Sequence, residues 1–160
     1  MHIRHPHSLP WLAGLLLLAL PVLAFEEALE RVLSLDEAPD GVVIEIVTED
    51  EDGLEWAIPN AKQAVERLRK RFPGLPVAVV THGEEMFGLE TSVRDSYVEV
   101  HETVQSLLAE DVTIHACGAF AGWRGLAEEH FPDYVDLSAS GPAQVNDYLA
   151  LGYERIVISD

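Results

Sequence analysis

"TIHACGAFAGWRG", Thr113 to Gly125, runs from β-branched residues into a glycine-punctuated segment and holds the single cysteine of a 160-residue chain. Extended back over Asp111 and Val112, its first part reads as a strand. "AFAGWRGLAEEHF" behind it reads as a short, Gly-interrupted helical stretch. A strand that turns into a helix is the repeating unit of a parallel sheet. Cys117 falls at that turn. Position alone leaves it three readings: packed filler, because free cysteine is among the most buried residue types; a metal ligand; or a working thiol.

The same alternation extends in both directions. "GVVIEIVT" from Gly41 is a β-branched run behind the turn residues Pro39-Asp40-Gly41. "AKQAVERLRKRF" sets Ala61, Ala64, Val65, Leu68 and Phe72 on one side and basic residues on the other, a helix stopped by Pro73-Gly74. "LPVAVVTHG" is nearly continuous in apolar residues, as a strand covered on both faces should be. "SVRDSYVEVHETVQSLLAED" predicts a helix with Val93, Tyr97, Val100, Val104 and Leu107 or Leu108 facing the core. His101 and His130 then read as helix-surface or helix-end residues. "YVDLSAS" predicts a short fourth strand, and "AQVNDYLAL" a helix capped by Ser140 or Gly141 with Pro142 in its first turn. Gly152 closes that helix and "ERIVISD" is the last strand. The pattern is that of an α/β layered fold with a mostly parallel sheet.

The first 24 residues stand apart. "MHIRHPHSLP" is basic, and "WLAGLLLLALPVLA" is an uncharged apolar run too short to span a bilayer comfortably. With Val22-Leu23-Ala24 as a small-residue exit, this is the pattern of a secretory signal peptide cut between Ala24 and Phe25; an uncleaved anchor is the alternative. We therefore expect a periplasmic or secreted protein with no stable membrane span after the cut. "FEEALERVLSL" follows as a short amphipathic helix, so that residues 25–40 form an N-terminal helix and linker and residues 41–160 the main domain. A lone thiol in an oxidising compartment needs burial or a purpose.

Charge excludes one class of partner. The chain carries 28 Asp and Glu against 10 Lys and Arg, a net charge of −18, and such a surface repels phosphate backbones. Nucleic-acid binding is not expected. "TEDEDGLEW", Thr48 to Trp56, reads as a solvated acidic loop, since it lacks the ligand spacing of a calcium site.

Chemistry in open parallel sheets gathers beyond the carboxyl ends of the strands. Thr81-His82-Gly83 and His115-Ala116-Cys117-Gly118 stand there. His115 and Cys117 share a face if the strand persists to the cysteine. A helix start favours an anion, so the turn favours the thiolate of Cys117, with backbone N–H groups from Gly118 and its neighbours. Arg124 lies about two helical turns further on. A zinc or copper site of Cys117, His115 and His82 lacks the usual ligand spacing; no metal and no cofactor is expected. A cysteine hydrolase needs a helper histidine and an orienting acid, which spacing alone does not supply.

"VTIHACGAFAGWRG" followed by "FPDYVDLSASGPAQVNDYLALGYERIVISD" resembles the DsrE-like family, of the DsrE, DsrF and TusD type. The likeness runs from a strand into a cysteine, through a small-residue helix, a short strand and a serine-containing loop, to a helix that closes in Gly152-Tyr153. "FPGLPVAVVTHG" is similar to the family's second strand, and the similarity covers roughly Gly41 to Asp160. The resemblance implies a three-layer α/β/α domain with a mostly parallel sheet of about five strands, assembled as a homo- or hetero-oligomer. In sulfur-relay members the matching cysteine carries a persulfide between proteins. For this chain it implies a carrier more than a turnover enzyme, with Cys117 accepting sulfane sulfur, His82 and His115 tuning local charge, and a protein as sulfur donor or acceptor. Relay members act in the cytoplasm, so the expected export sets this chain apart. The competing expectation is a non-catalytic oligomeric binding module with a structural Cys117.

Overall fold

Five apolar runs form one all-parallel sheet of strands β1 (Gly41–Ile46), β2 (Val77–Thr81), β3 (Val112–Cys117), β4 (Asp136–Ser138) and β5 (Tyr153–Ile158). Their order is β4-β3-β2-β1-β5. The computed structural model describes residues 20–160, with side chains from residue 23. Most of the expected signal peptide, residues 1–19, lies outside the described residues.

The order follows from the connections. The chain steps outward from β1 through β2 and β3 to β4, then returns across the sheet to pair β5 with β1. Right-handed crossovers put the helices of the outward steps on one face and the returning helix on the other. Helices α1 (Leu20–Leu33), α2 (Leu54–Arg71), α3 (Val98–Ala109) and α4 (Gly118–Trp123) send Leu29, Ile58, Val104 and Ala121 into the larger core, with Ile44, Val79 and Ile114 of the sheet. Helix α5 (Gly141–Ala150) covers the other face almost alone, through Val145 on Val43 and Val80, with Tyr148 and Tyr153 beside them. Both faces of β1 and β2 are therefore covered, and every residue of both is buried. This is the three-layer α/β/α arrangement that the resemblance implies.

Three local expectations change. The acidic stretch is not loop throughout: Leu54–Trp56 form the first turn of α2, and Thr48 is buried. The helix continues through Pro59, whose exposed position near the helix start confines the lost hydrogen bond to a carbonyl that water can reach. Helix α3 begins at Val98 rather than near Ser92, because Glu84–Leu89 and Thr91–Val93 form tight 3₁₀ turns. His101 is not a surface residue: it is 1 % exposed, its Nε2 facing the Gly88 carbonyl at 3.1 Å and its Nδ1 the Tyr134 hydroxyl at 2.5 Å. A carbonyl only accepts, so Nε2 carries the proton and Tyr134 donates to Nδ1. Burial pushes the His101 pKa down, and the ring is neutral at pH 7.

Helix α1 spans the expected cut; among its described side chains the packed ones are Phe25, Leu29 and Val32, beyond the cut, while Leu23 is 60 % exposed. Among the described residues, no helix is long and apolar enough to cross a membrane.

Candidate functional site

Ligand crevices in open α/β sheets form where adjacent strands send their helices to opposite faces. Here that point lies between β3, which leads into α4, and β4, which leads into α5 on the other face. Cys117 pairs with Ser138 across this boundary. The sequence turns there because Gly118 lets two backbones meet: a Cβ at Gly118 would lie 2.8 Å from the Ser138 carbonyl oxygen. The Ala119 N–H bonds the Ala139 carbonyl at 3.1 Å, tying the start of α4 to the segment after β4. Cys117 keeps an extended backbone and caps α4, its Sγ accepting from the Phe120 N–H at 3.4 Å. The thiol thus sits at the strand-to-helix turn expected from the sequence, and it is 4 % exposed.

His82 emerges beside it. Thr81 pairs with Ala116, so His82 and Cys117 are the next residues along two neighbouring strands. The loop that leaves Ser138 ends at Gly141, which packs against His82 so closely that a Cβ there would overlap the His82 side chain. One short loop therefore runs from the strand partner of Cys117 to the side chain of His82. His82 Nε2 lies 2.7 Å from Oε1 of Glu45, a β1 residue that is 5 % exposed. The second carboxylate oxygen forms an ion pair with Arg155 of β5. Burial pushes the Glu45 pKa up, but the His82 hydrogen bond and the Arg155 charge outweigh it and hold the carboxyl below its ordinary 4.5.

A second carboxylate fixes the turn itself. Glu85 is fully buried and accepts from the Thr81 hydroxyl at 2.5 Å, the Gly83 N–H at 2.9 Å and the Thr48 N–H at 2.8 Å. These bonds tie the segment after β2 to the chain leaving β1.

His115 has different company. Strand β3 persists to Cys117, but the contacts of the two residues diverge: Cys117 belongs to the larger core, and the His115 ring packs with Tyr148 of α5. His115 Nδ1 lies 2.7 Å from Oδ2 of Asp136, and Nε2 lies 2.9 Å from the Tyr148 hydroxyl. The Nδ1 contact is a close approach rather than a well-aligned hydrogen bond. Burial is the main cause that raises the Tyr148 pKa, so the phenol stays protonated. With Asp136, an acceptor only, at Nδ1, the hydrogen of the neutral ring sits there and the Tyr148 hydroxyl donates to Nε2. Arg124 turns away from the thiol: it pairs with Glu84 and lies 4.7 Å over the Phe87 ring.

Among the described residues, no three His, Cys, Asp or Glu converge as a metal-holding group. Three clefts of about 370, 360 and 540 Å³ line the surface, and none of these three is walled by Cys117 or His82. Sequence reasoning missed Glu45, Glu85 and Arg155. For Glu45 a signal exists: it is the lone charge in "GVVIEI", a strand otherwise apolar on both faces, and a buried charge needs a partner.

Set beside known protein families and curated proteins, the chain matches none. Solved structures match its fold. A protein of unknown function from Methanobacterium thermoautotrophicum, MTH1491, is 23 % identical with a TM-score of 0.59, the match covering 74 % of this chain and 99 % of that one. The ychN protein of E. coli is 14 % identical with a TM-score of 0.54, over 75 % and 99 % of the two chains. A conserved protein of unknown function from Bacteroides thetaiotaomicron, BT1422, is 16 % identical with a TM-score of 0.51, over 74 % and 95 %. At these identities the likeness is one of fold, and that fold is a three-layer α/β/α arrangement with a five-stranded parallel sheet.

Proposed function

We propose that the protein is an exported, periplasmic sulfur carrier in which Cys117 accepts a sulfane sulfur and passes it to a partner protein. The observation that carries this reading is the position of Cys117: last in β3, at the cap of α4, where the helices leave opposite faces of the sheet, with an N–H on its sulfur. A thiolate there attacks the outer sulfur of a donor persulfide. A new S–S bond forms at Cys117, the donor's S–S bond breaks, and the donor leaves as a thiol after taking up the proton that Cys117 lost. No external oxidant is needed. The Gly118 turn, with His82 and His115 on neighbouring strand positions, supplies the polar surroundings. Export is supported by the basic start and apolar run, and by the exposure of Leu23 and Ala24 just before the first described packed residue of α1, Phe25. The chain works as a homo-oligomer with a protein donor or acceptor, and its net charge of −18 argues against nucleic acid.

The test is exposure of the purified protein to polysulfide, read by intact mass. One added sulfur, released by dithiothreitol and missing from Cys117→Ala, is expected. No adduct, or an equal adduct on Cys117→Ala, would sink the reading.

One observation favours a second reading, an oligomeric interaction module with an inert cysteine: the thiol is 4 % exposed. Native thiol titration separates the two. Reaction with a small alkylating reagent only after denaturation would support the module.

A further inference from the structure

Glu45 stands inside a central strand between Ile44 and Ile46, and its carboxylate spends both oxygens on side chains rather than on the sheet. Removing such a group from water is costly unless it is paired. The partners chosen are a histidine at the rim and a half-exposed arginine.

We propose that Glu45 is a positioning residue for Cys117: it holds the His82 imidazole by Nε2 and leaves Nδ1 as the proton acceptor for the thiol, with Arg155 behind it. This rests on the reading of Cys117 as a reacting thiol, and it names the groups that manage its proton.

Three observations support it. A carboxylate only accepts, so Nε2 bears the hydrogen in the neutral ring and Nδ1 bears the lone pair. Among the described residues Nδ1 makes no hydrogen bond, and the side chain keeps 13 % exposure at the rim. The register sets the His82 backbone next to that of Cys117, whose β4 partner Ser138 opens the loop that ends against His82 at Gly141. His115 does not offer this service, because Asp136 and Tyr148 occupy its two nitrogens. The other charges near the rim are committed as well. Glu85 holds the turn, and Glu84 pairs with Arg124. In the transfer step the Cys117 proton moves to Nδ1, the imidazolium faces Glu45, and the departing thiolate of the donor takes the proton back. The carboxyl's low proton affinity keeps it charged throughout.

Alkylation of native Cys117 by iodoacetamide, followed by intact mass, tests this without any sulfur donor. Glu45→Gln is expected to slow the reaction about tenfold near pH 7 and to leave the rate near pH 9.5 within about twofold, since hydroxide there takes the proton without help from a side-chain base. His82→Gln should do the same, and the double variant should be no slower than either single one, as expected for residues acting as a unit. Tyr148→Phe should keep the wild-type ratio of the two rates. A wild-type ratio in Glu45→Gln overturns the proposal, and so does a faster reaction at both pH values, which marks simple loosening. If Glu45→Gln does not fold, His82→Gln decides by the same ratio. A polysulfide adduct on Cys117 together with an unchanged ratio sinks this role and leaves the carrier intact. A changed ratio without an adduct does the reverse.

Discussion

Two carboxylate–histidine pairs stand on neighbouring strands of this sheet, and their surroundings are inverted. In Glu45–His82 the carboxylate side chain is 6 % exposed and the imidazole, 13 % exposed, keeps a nitrogen at the rim without a hydrogen bond among the described residues. In Asp136–His115 the carboxylate is 65 % exposed, while the imidazole is 7 % exposed and engaged on both sides. A dry acid beside an open ring keeps its charge directed at the ring, because water does not compete for it. A wet acid beside a closed ring is screened and contributes mainly geometry. The first arrangement suits proton transfer. The second ties β3, β4 and α5 together on the face that α5 covers almost alone.

The comparison can be broken most forcefully without touching either pair. Glu85→Ala strips the partners from the Thr81 hydroxyl and from the N–H groups of Gly83 and Thr48, all in buried surroundings. Urea denaturation is expected to show a loss of about 3 kcal/mol, with faster alkylation of Cys117 because the His82 turn loosens. Glu45→Ala comes next. It leaves His82 and Arg155 without their acid and should cost about 2 kcal/mol, below the range for a fully buried pair because Arg155 is half exposed. A pH series sharpens this. The folded carboxyl titrates below its ordinary 4.5, so its contribution is complete above that value and is lost as pH falls through the folded value. Glu45→Gln should flatten that acid arm of the stability curve. An unchanged acid arm would mean that Glu45 is not held charged by its partners.

Much of this is legible in the sequence, and the rest is not for identifiable reasons. The strands announce themselves because both faces of β1 and β2 are covered, which demands continuous apolar runs. Cys117 at a strand-to-helix turn follows from the step between "TIHAC" and "GAFAGW". His82 and His115 are also found at the right strands. Which of them is free was beyond reach, because it depends on Tyr148 and Asp136, 33 and 21 residues away from His115. Glu45 was visible as a charge in an apolar strand, but its partner was not. Periodicity starts helix α3 too early because residues 93–97 close tight turns, Ser96 N–H on the Val93 carbonyl and Tyr97 N–H on the Arg94 carbonyl. The Tyr97 hydroxyl is also tied to Asp52, and none of these bonds registers in an apolar pattern. The same blindness misplaced His101, which a helix wheel sets next to polar neighbours and the fold buries under Tyr134.

That third histidine supplies a control on pH. Burial lowers the His101 pKa, so the folded protein resists a proton that the unfolded chain accepts near the ordinary 6.5. Stability is expected to fall as pH drops from 6.5 toward the lower folded value. His101→Gln should remove that slope while leaving the acid arm that belongs to Glu45. If the slope survives, the neutral ring is not its source.

The smallest effects belong to the closed pair, and they test whether it is closed. Tyr148→Phe removes the donor to His115 Nε2 and keeps the ring against Tyr153, for a loss of about 1 kcal/mol. Asp136→Ala should cost less than about 0.5 kcal/mol, since its carboxylate is mostly in water. Both are read by urea denaturation. If His115 joins α5 to β4, the two losses should not add, and the double variant should fall short of their sum. A loss larger for Asp136→Ala than for Glu45→Ala would reverse the comparison. It would then be the exposed acid, and not the buried one, whose charge the fold relies upon.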